Sequence, residues 1–123
     1  MRSDKERAFF KKERGIVARD DFHAIVYRIL SYIYRQLKSG KLLDPTMISP
    51  DELDIEPGYW AFILAELKSN GLTDGYVAVR DTNRVWKITK LRDAEITMKG
   101  IEYLVDNSFM KRAKDEESGC INI

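Results

Sequence analysis

Apolar residues recur along this chain first at helical spacing, then in short alternating runs, then at helical spacing again. Phe22, Ile25, Val26, Ile29, Ile33 and Leu37 fall on one side of a helical wheel over Phe22 to Ser39, with Arg28, Ser31, Arg35 and Lys38 as a polar stripe. Asp20 or Asp21 supplies a cap before this helix and Gly40 a stop after it. Tyr27, Leu30 and Tyr34 lie off the core face, so the helix is apolar over more than half its girth. That pattern predicts a second packing partner: the leading segment, the C-terminal helix or another subunit.

Lys41 to Ile48 reads as a loop around Asp44-Pro45, with a short extended piece at Thr46 to Ile48. Ser49 and Glu52 then match a capping box, and Pro50 suits the first helical position. Leu53 and Ile55 point inward across a tight turn in which Asp54 tolerates a left-handed backbone. A second helix follows from Pro57, with Trp60, Ile63, Leu64 and Leu67 as its apolar stripe. Gly71 ends it in a left-handed conformation and Leu72 packs back on the last turn. Burying Leu64 or Leu67 contributes about 1.5–3 kcal/mol each. The opposite face of this central helix is expected to expose Gly58, Tyr59, Ala61, Phe62, Ala65, Glu66 and Ser69, with Lys68 at one edge.

After Leu72 the period changes. Tyr76 to Val79 and Val85 to Thr89 suit strands, with Arg80 to Arg84 as a polar turn, and the second strand can continue through Leu91 to Ile96. Thr97 caps a helix through Val105, with Ile101, Leu104 and Val105 inward. Asn107 ends it, and Ser108 opens another turn through Phe109, Met110 and Ala113. The order predicts an α+β fold of winged helix-turn-helix type: a three-helix core, a two- to three-stranded antiparallel wing and an extra C-terminal helix. A charged arm (residues 1–20) precedes this domain (residues 21–113), and a polar, acidic tail (residues 114–123) follows it and is expected to fray.

Residues Asp21 to Ala113 also resemble the YjcQ family of small bacterial and bacteriophage winged-helix proteins. The resemblance rests on Ile25-Val26-Tyr27-Arg28-Ile29-Leu30, on Trp60, Ile63, Leu64 and Leu67, and on Ile96-Thr97-Met98-Lys99-Gly100-Ile101-Glu102-Tyr103-Leu104. Asn107-Ser108-Phe109-Met110-Lys111-Arg112-Ala113 continues it. It implies a winged-helix fold and an association with prophages, and it carries no mechanism.

Composition narrows the function classes. At 123 residues the chain reads as one domain, and its 44% apolar and 33% charged residues are those of a soluble globular protein. No apolar run approaches the length of a membrane span, and the expected location is cytoplasmic. A single cysteine, Cys120, leaves no internal disulfide and no cysteine-rich zinc site. His23 stands in the first turn of its helix without a second histidine, which suits an exposed or capping role better than a metal site. There is no glycine-rich phosphate loop and no nucleophile beside a base, so neither enzymatic activity, a small-molecule substrate nor a cofactor is expected.

The net charge of +1 matters less than its distribution. From Tyr76 to Lys99 there are six basic residues against three acidic ones, whereas Pro57 to Gly75 holds one against two. Arg80, Arg84, Lys87, Lys90 and Arg92 are therefore the candidate nucleic-acid contacts, reaching phosphates or a narrow minor groove. Solvated strand-edge charges are the plainer reading of the same residues. The central helix offers an aromatic and slightly acidic face instead. Tyr59, Phe62 and Glu66 are candidate protein contacts, for a partner or for a homodimer, or else one of Tyr59 and Phe62 packs on a neighbouring loop.

Overall fold

The computed structural model describes residues 21–121, with side chains through Glu116. The charged arm, the cap candidate Asp20 and the side chain of Cys120 lie outside the described residues. Helix α1 (Asp21–Ser39) is followed by a 3-10 turn (Pro45–Ile48), α2 (Pro50–Leu53) and α3 (Pro57–Ser69). Then come strands β1 (Thr73–Asp74), β2 (Val77–Arg80) and β3 (Trp86–Thr89), a second 3-10 turn (Leu91–Asp93) and β4 (Glu95–Ile96). Helices α4 (Met98–Asp106) and α5 (Ser108–Ile121) complete the chain. This is an α+β fold compatible with a winged helix.

Local chemistry explains the helix-turn-helix segment. The Ser49 hydroxyl accepts from the Glu52 N–H at 3.2 Å. The Ser49 N–H donates to the Thr46 carbonyl, so the cap serves the preceding turn as well. Asp54 adopts φ 59 and ψ 48, the left-handed geometry that lets the chain turn between α2 and α3. The first turn of α3 is capped by Glu56, whose carboxylate accepts from the Gly58 and Tyr59 N–H groups at 2.8 and 3.1 Å. At the far end Leu72 N–H donates to Leu67 O and Gly71 N–H to Lys68 O, a Schellman motif with Gly71 at φ +78.

The core joins Ile25, Val26, Ile29 and Ile33 of α1 to Ile63, Leu64 and Leu67 of α3, all but sealed from solvent. Trp60 enters with a tether: its indole N–H donates to the Ile48 carbonyl at 2.7 Å, fixing α3 to the 3-10 turn. That turn replaces the extended piece expected at Thr46 to Ile48. Asp44 caps it by accepting from the Thr46 N–H, and Pro45 stands at its first position. The same Thr46 contacts, hydroxyl first, hold the Asp44 carboxyl below its ordinary value, with the charge of Arg92 adding to them.

Two small antiparallel sheets take the place of one continuous wing. β2 pairs with β3 in a hairpin, with Ala78 opposite Ile88 and Arg80 opposite Trp86. β1 pairs with β4, Thr73 opposite Ile96. The second hairpin strand does not run on to Ile96, because Lys90 takes a left-handed conformation and Leu91–Asp93 coil into a 3-10 turn.

The second partner of α1 is the C-terminal pair of helices. α5 packs on α1, its Met110 and Ala113 are buried, and Leu30 is fully covered. α4 packs on α1 too, but Val105 is 53% exposed where an inward position was expected. Leu37 is likewise exposed, at the end of α1 beyond the reach of the core. Asn107 caps α5 by accepting from the Phe109 N–H, and the helix runs through Ile121. His23 is half-buried and stacks on Phe109 at 4.2 Å, a packing role that ties the start of α1 to α5.

Candidate functional site

The exposed strip of α3 is narrower than the sequence implied. Ala61 and Ala65, expected to face outward, are 4% and 5% exposed, and α3 packs against β2 and β3. Two alanines one turn apart let a strand pair approach the helix closely. Gly58, Phe62 and Ser69 remain exposed, with Glu66 and Tyr59 half-buried at the margin. Phe62 is 41% exposed. Tyr59 packs against the core, and its phenol is held above the ordinary value by burial first and then by the charge and hydrogen bond of Asp21.

The electrostatics of this face are negative. Between Ser49 and Ser69 the chain carries Asp51, Glu52, Asp54, Glu56 and Glu66 against Lys68 alone. Lys68 is itself committed, its ammonium lying 3.2 Å from the Asp74 carboxylate. The N-terminus of α3, a place where backbone N–H groups often hold phosphate, is already filled by the Glu56 carboxylate. No Arg, Lys, Asn or Gln stands ready on the exposed strip to read a base edge.

The five cations of the wing region do not form one cluster. Residues directly opposite in an antiparallel pair share a face and successive residues alternate. Arg80 and Trp86 therefore share the face of Ala78 and Ile88, while Lys87 shares the other face with Val77, Val79 and Thr89. The first of these faces is the more buried one. The Arg80 guanidinium lies 4.8 Å from the centre of the Trp86 ring, which braces it at the edge of the sheet. Arg84 projects from the turn at φ 64. That turn is built by Asp81, whose carboxylate accepts from the Asn83 and Val85 N–H groups at 2.8 and 3.0 Å. Lys90 and Arg92 belong to the return segment, and Arg92 lies close enough to Asp44 to act on its charge. All five are exposed, and none has an ion-pair partner among the described residues.

The face that each wing residue occupies depends on the hairpin register, and the burial of Ala61 and Ala65 on the return of the hairpin. Neither is readable from a single helix or strand. A helix-stripe count passes over alanine because it is small. The signal that was present is the one-turn spacing of the two alanines.

Among the described residues no three His, Cys, Asp or Glu side chains are grouped to hold a metal ion, and no helix is long and apolar enough to cross a membrane. A family model described as YjcQ protein matches residues 27–116, and the chain belongs to that family. No curated protein and no solved structure matches it.

Proposed function

We propose that this member of the YjcQ family is a non-enzymatic, cofactor-free binding module of the cytoplasm, in a bacterial or prophage setting, that meets DNA with its hairpin and not with its central helix. The observation that supports this reading is the state of Arg80 and Arg84: exposed at the two ends of one turn, one braced on Trp86, neither in an ion pair among the described residues. Such a pair reaches phosphates or a narrow minor groove with little sequence preference. Lys87 adds a third contact from the other face of the hairpin. Lys90 and Arg92 extend the positive field toward the return strand. The acidic surface of α2 and α3 meanwhile opposes insertion of that helix into a groove.

Anisotropy titration of a labelled mixed-sequence duplex tests this. Binding weakens steeply with salt, by up to about one log unit of affinity per log unit of salt for each phosphate contact. Arg80→Ala with Arg84→Ala abolishes most of it. Unchanged binding by that double variant rejects the proposal.

A second reading is supported by Phe62, a large aromatic side chain 41% exposed within an acidic surround. Here Tyr59, Phe62 and Glu66 contact a protein partner or a second copy of the chain. Phe62→Ala then alters elution volume or partner capture, and binding of this kind barely responds to salt.

A further inference from the structure

Between α1, α4 and α5 runs an open groove of about 610 Å³. Arg35 and Lys38 of α1 and Lys111 and Lys114 of α5 stand on its walls, against the single carboxylate of Asp115. All four cations are exposed, and none has an ion-pair partner among the described residues. Lys38 lies along the rim with its ammonium 4.4 Å from the centre of the Tyr34 ring. The floor differs in character. Tyr27, Tyr34 and Leu104 line it and pack against the core, and Val105 opens onto it 53% exposed.

We infer that this groove is the docking site for an acidic amphipathic helix of a partner protein. Charge is the first reason: four cations on the rim, unpaired among the described residues, complement carboxylates at the flanks of an incoming helix. Shape is the second. The lining stripe of α1 extends from Tyr27 to Lys38, about 16 Å at 1.5 Å per residue, which accommodates about three turns of a docked helix. An apolar floor below a charged rim is the arrangement that receives the apolar face of such a helix. A single nucleic-acid strand fits less well. Both tyrosine rings are packed against the core rather than splayed for base stacking, and Lys38 already covers Tyr34. The site shares no residue with the hairpin, so it stands independently of the nucleic-acid proposal.

The test is titration of the full, isotope-labelled chain, followed by amide NMR shifts, with a 16-residue Leu/Glu peptide whose leucines repeat at helical spacing. The same peptide with Lys for Glu, and a 16-nucleotide oligo-dT, serve as comparators. Saturable shifts centred on Ser31, Arg35, Val105 and Lys111 are expected with the acidic peptide. Lys38→Glu with Lys111→Glu weakens its binding at least tenfold, as does the separate pair Arg35→Glu with Lys114→Glu. Arg80→Ala with Arg84→Ala leaves it unchanged. The inference is overturned by absent binding, by shifts outside the groove, by equal binding of the Lys peptide, or by groove shifts with oligo-dT in place of the acidic peptide.

Discussion

The hydroxyl of Tyr76 donates a 2.6 Å hydrogen bond to the carbonyl oxygen of Leu64, in the middle of α3. A carbonyl only accepts, so the phenol proton is spent there. The Thr73 hydroxyl, 2.6 Å from the same phenol oxygen, is therefore the donor in that second bond. Tyr76 and Thr73 are 1% and 2% exposed, and this short chain of bonds fastens the base of the hairpin to the central helix.

Tyr76→Phe leaves the Thr73 hydroxyl without its acceptor in a buried site and costs about 1–3 kcal/mol. Urea unfolding followed by circular dichroism measures it. Thr73→Val in the Tyr76→Phe background adds less than Thr73→Val alone, because the two hydroxyls share one interaction.

The same phenol sets an alkaline limit. Burial pushes the Tyr76 pKa from 10.0 up to about 12, and burial also raises Tyr59 and Tyr103. A folded value above the unfolded one contributes stability that is complete below pH 10 and lost as pH climbs toward 12. For Tyr76 the loss amounts to about 2–3 kcal/mol. Phenolate absorbance near 295 nm should rise together with loss of helical signal in that window, and Tyr76→Phe should remove part of the coupling.

Gly100→Ala, in an ordinary exposed helix, would stabilise by about 1 kcal/mol. Here the sign reverses. A Cβ at Gly100 collides with the Leu72 carbonyl oxygen, to which the Thr97 N–H donates at 3.1 Å. The Thr97 hydroxyl holds the Gly71 carbonyl at 2.5 Å and accepts from the Gly100 N–H at 3.0 Å. The substitution should cost about 1–3 kcal/mol, as overpacking does. A midpoint shift to lower denaturant checks it, with Met98→Ala on the exposed side of the same helix as the neutral control.

Ser31→Ala should stabilise. The Ser31 hydroxyl is shielded from water and has no hydrogen-bond partner among the described residues. Its removal relieves a buried, unmet polar group and adds helix propensity, together about 1 kcal/mol. On a domain of this size that raises the melting temperature by about 4–8 °C, read by calorimetry.

Much of the fold was legible because it is written locally. The Ser49 cap, the left-handed Asp54, the Gly71 stop and the Thr97 cap each involve residues within a few positions of one another. The hairpin was legible from its change of period and its polar turn. What escaped depends on distant chain. Thr46 to Ile48 has strand-like composition, but Asp44 and Pro45 wind it into a 3-10 turn. Ala61 and Ala65 look like surface until the hairpin covers them. Leu30 lies off the core stripe, yet it is fully buried in a helix that packs on α4, α5 and β4 as well as on the first 3-10 turn. The basic residues of the wing region were visible as a list of charges. Their division between two faces of the hairpin was not, because it follows from Arg80 pairing with Trp86 across the turn.

The packing of α5 on α1 places the two ends of the described domain against each other. During synthesis the first helix emerges early, whereas Met110 leaves the ribosome about eighty residues after Leu30. Until then α1 lacks that packing partner, so a nascent or prematurely terminated chain presents a greasy seam that invites chaperone capture. Completion of the last helix is the act that closes the molecule.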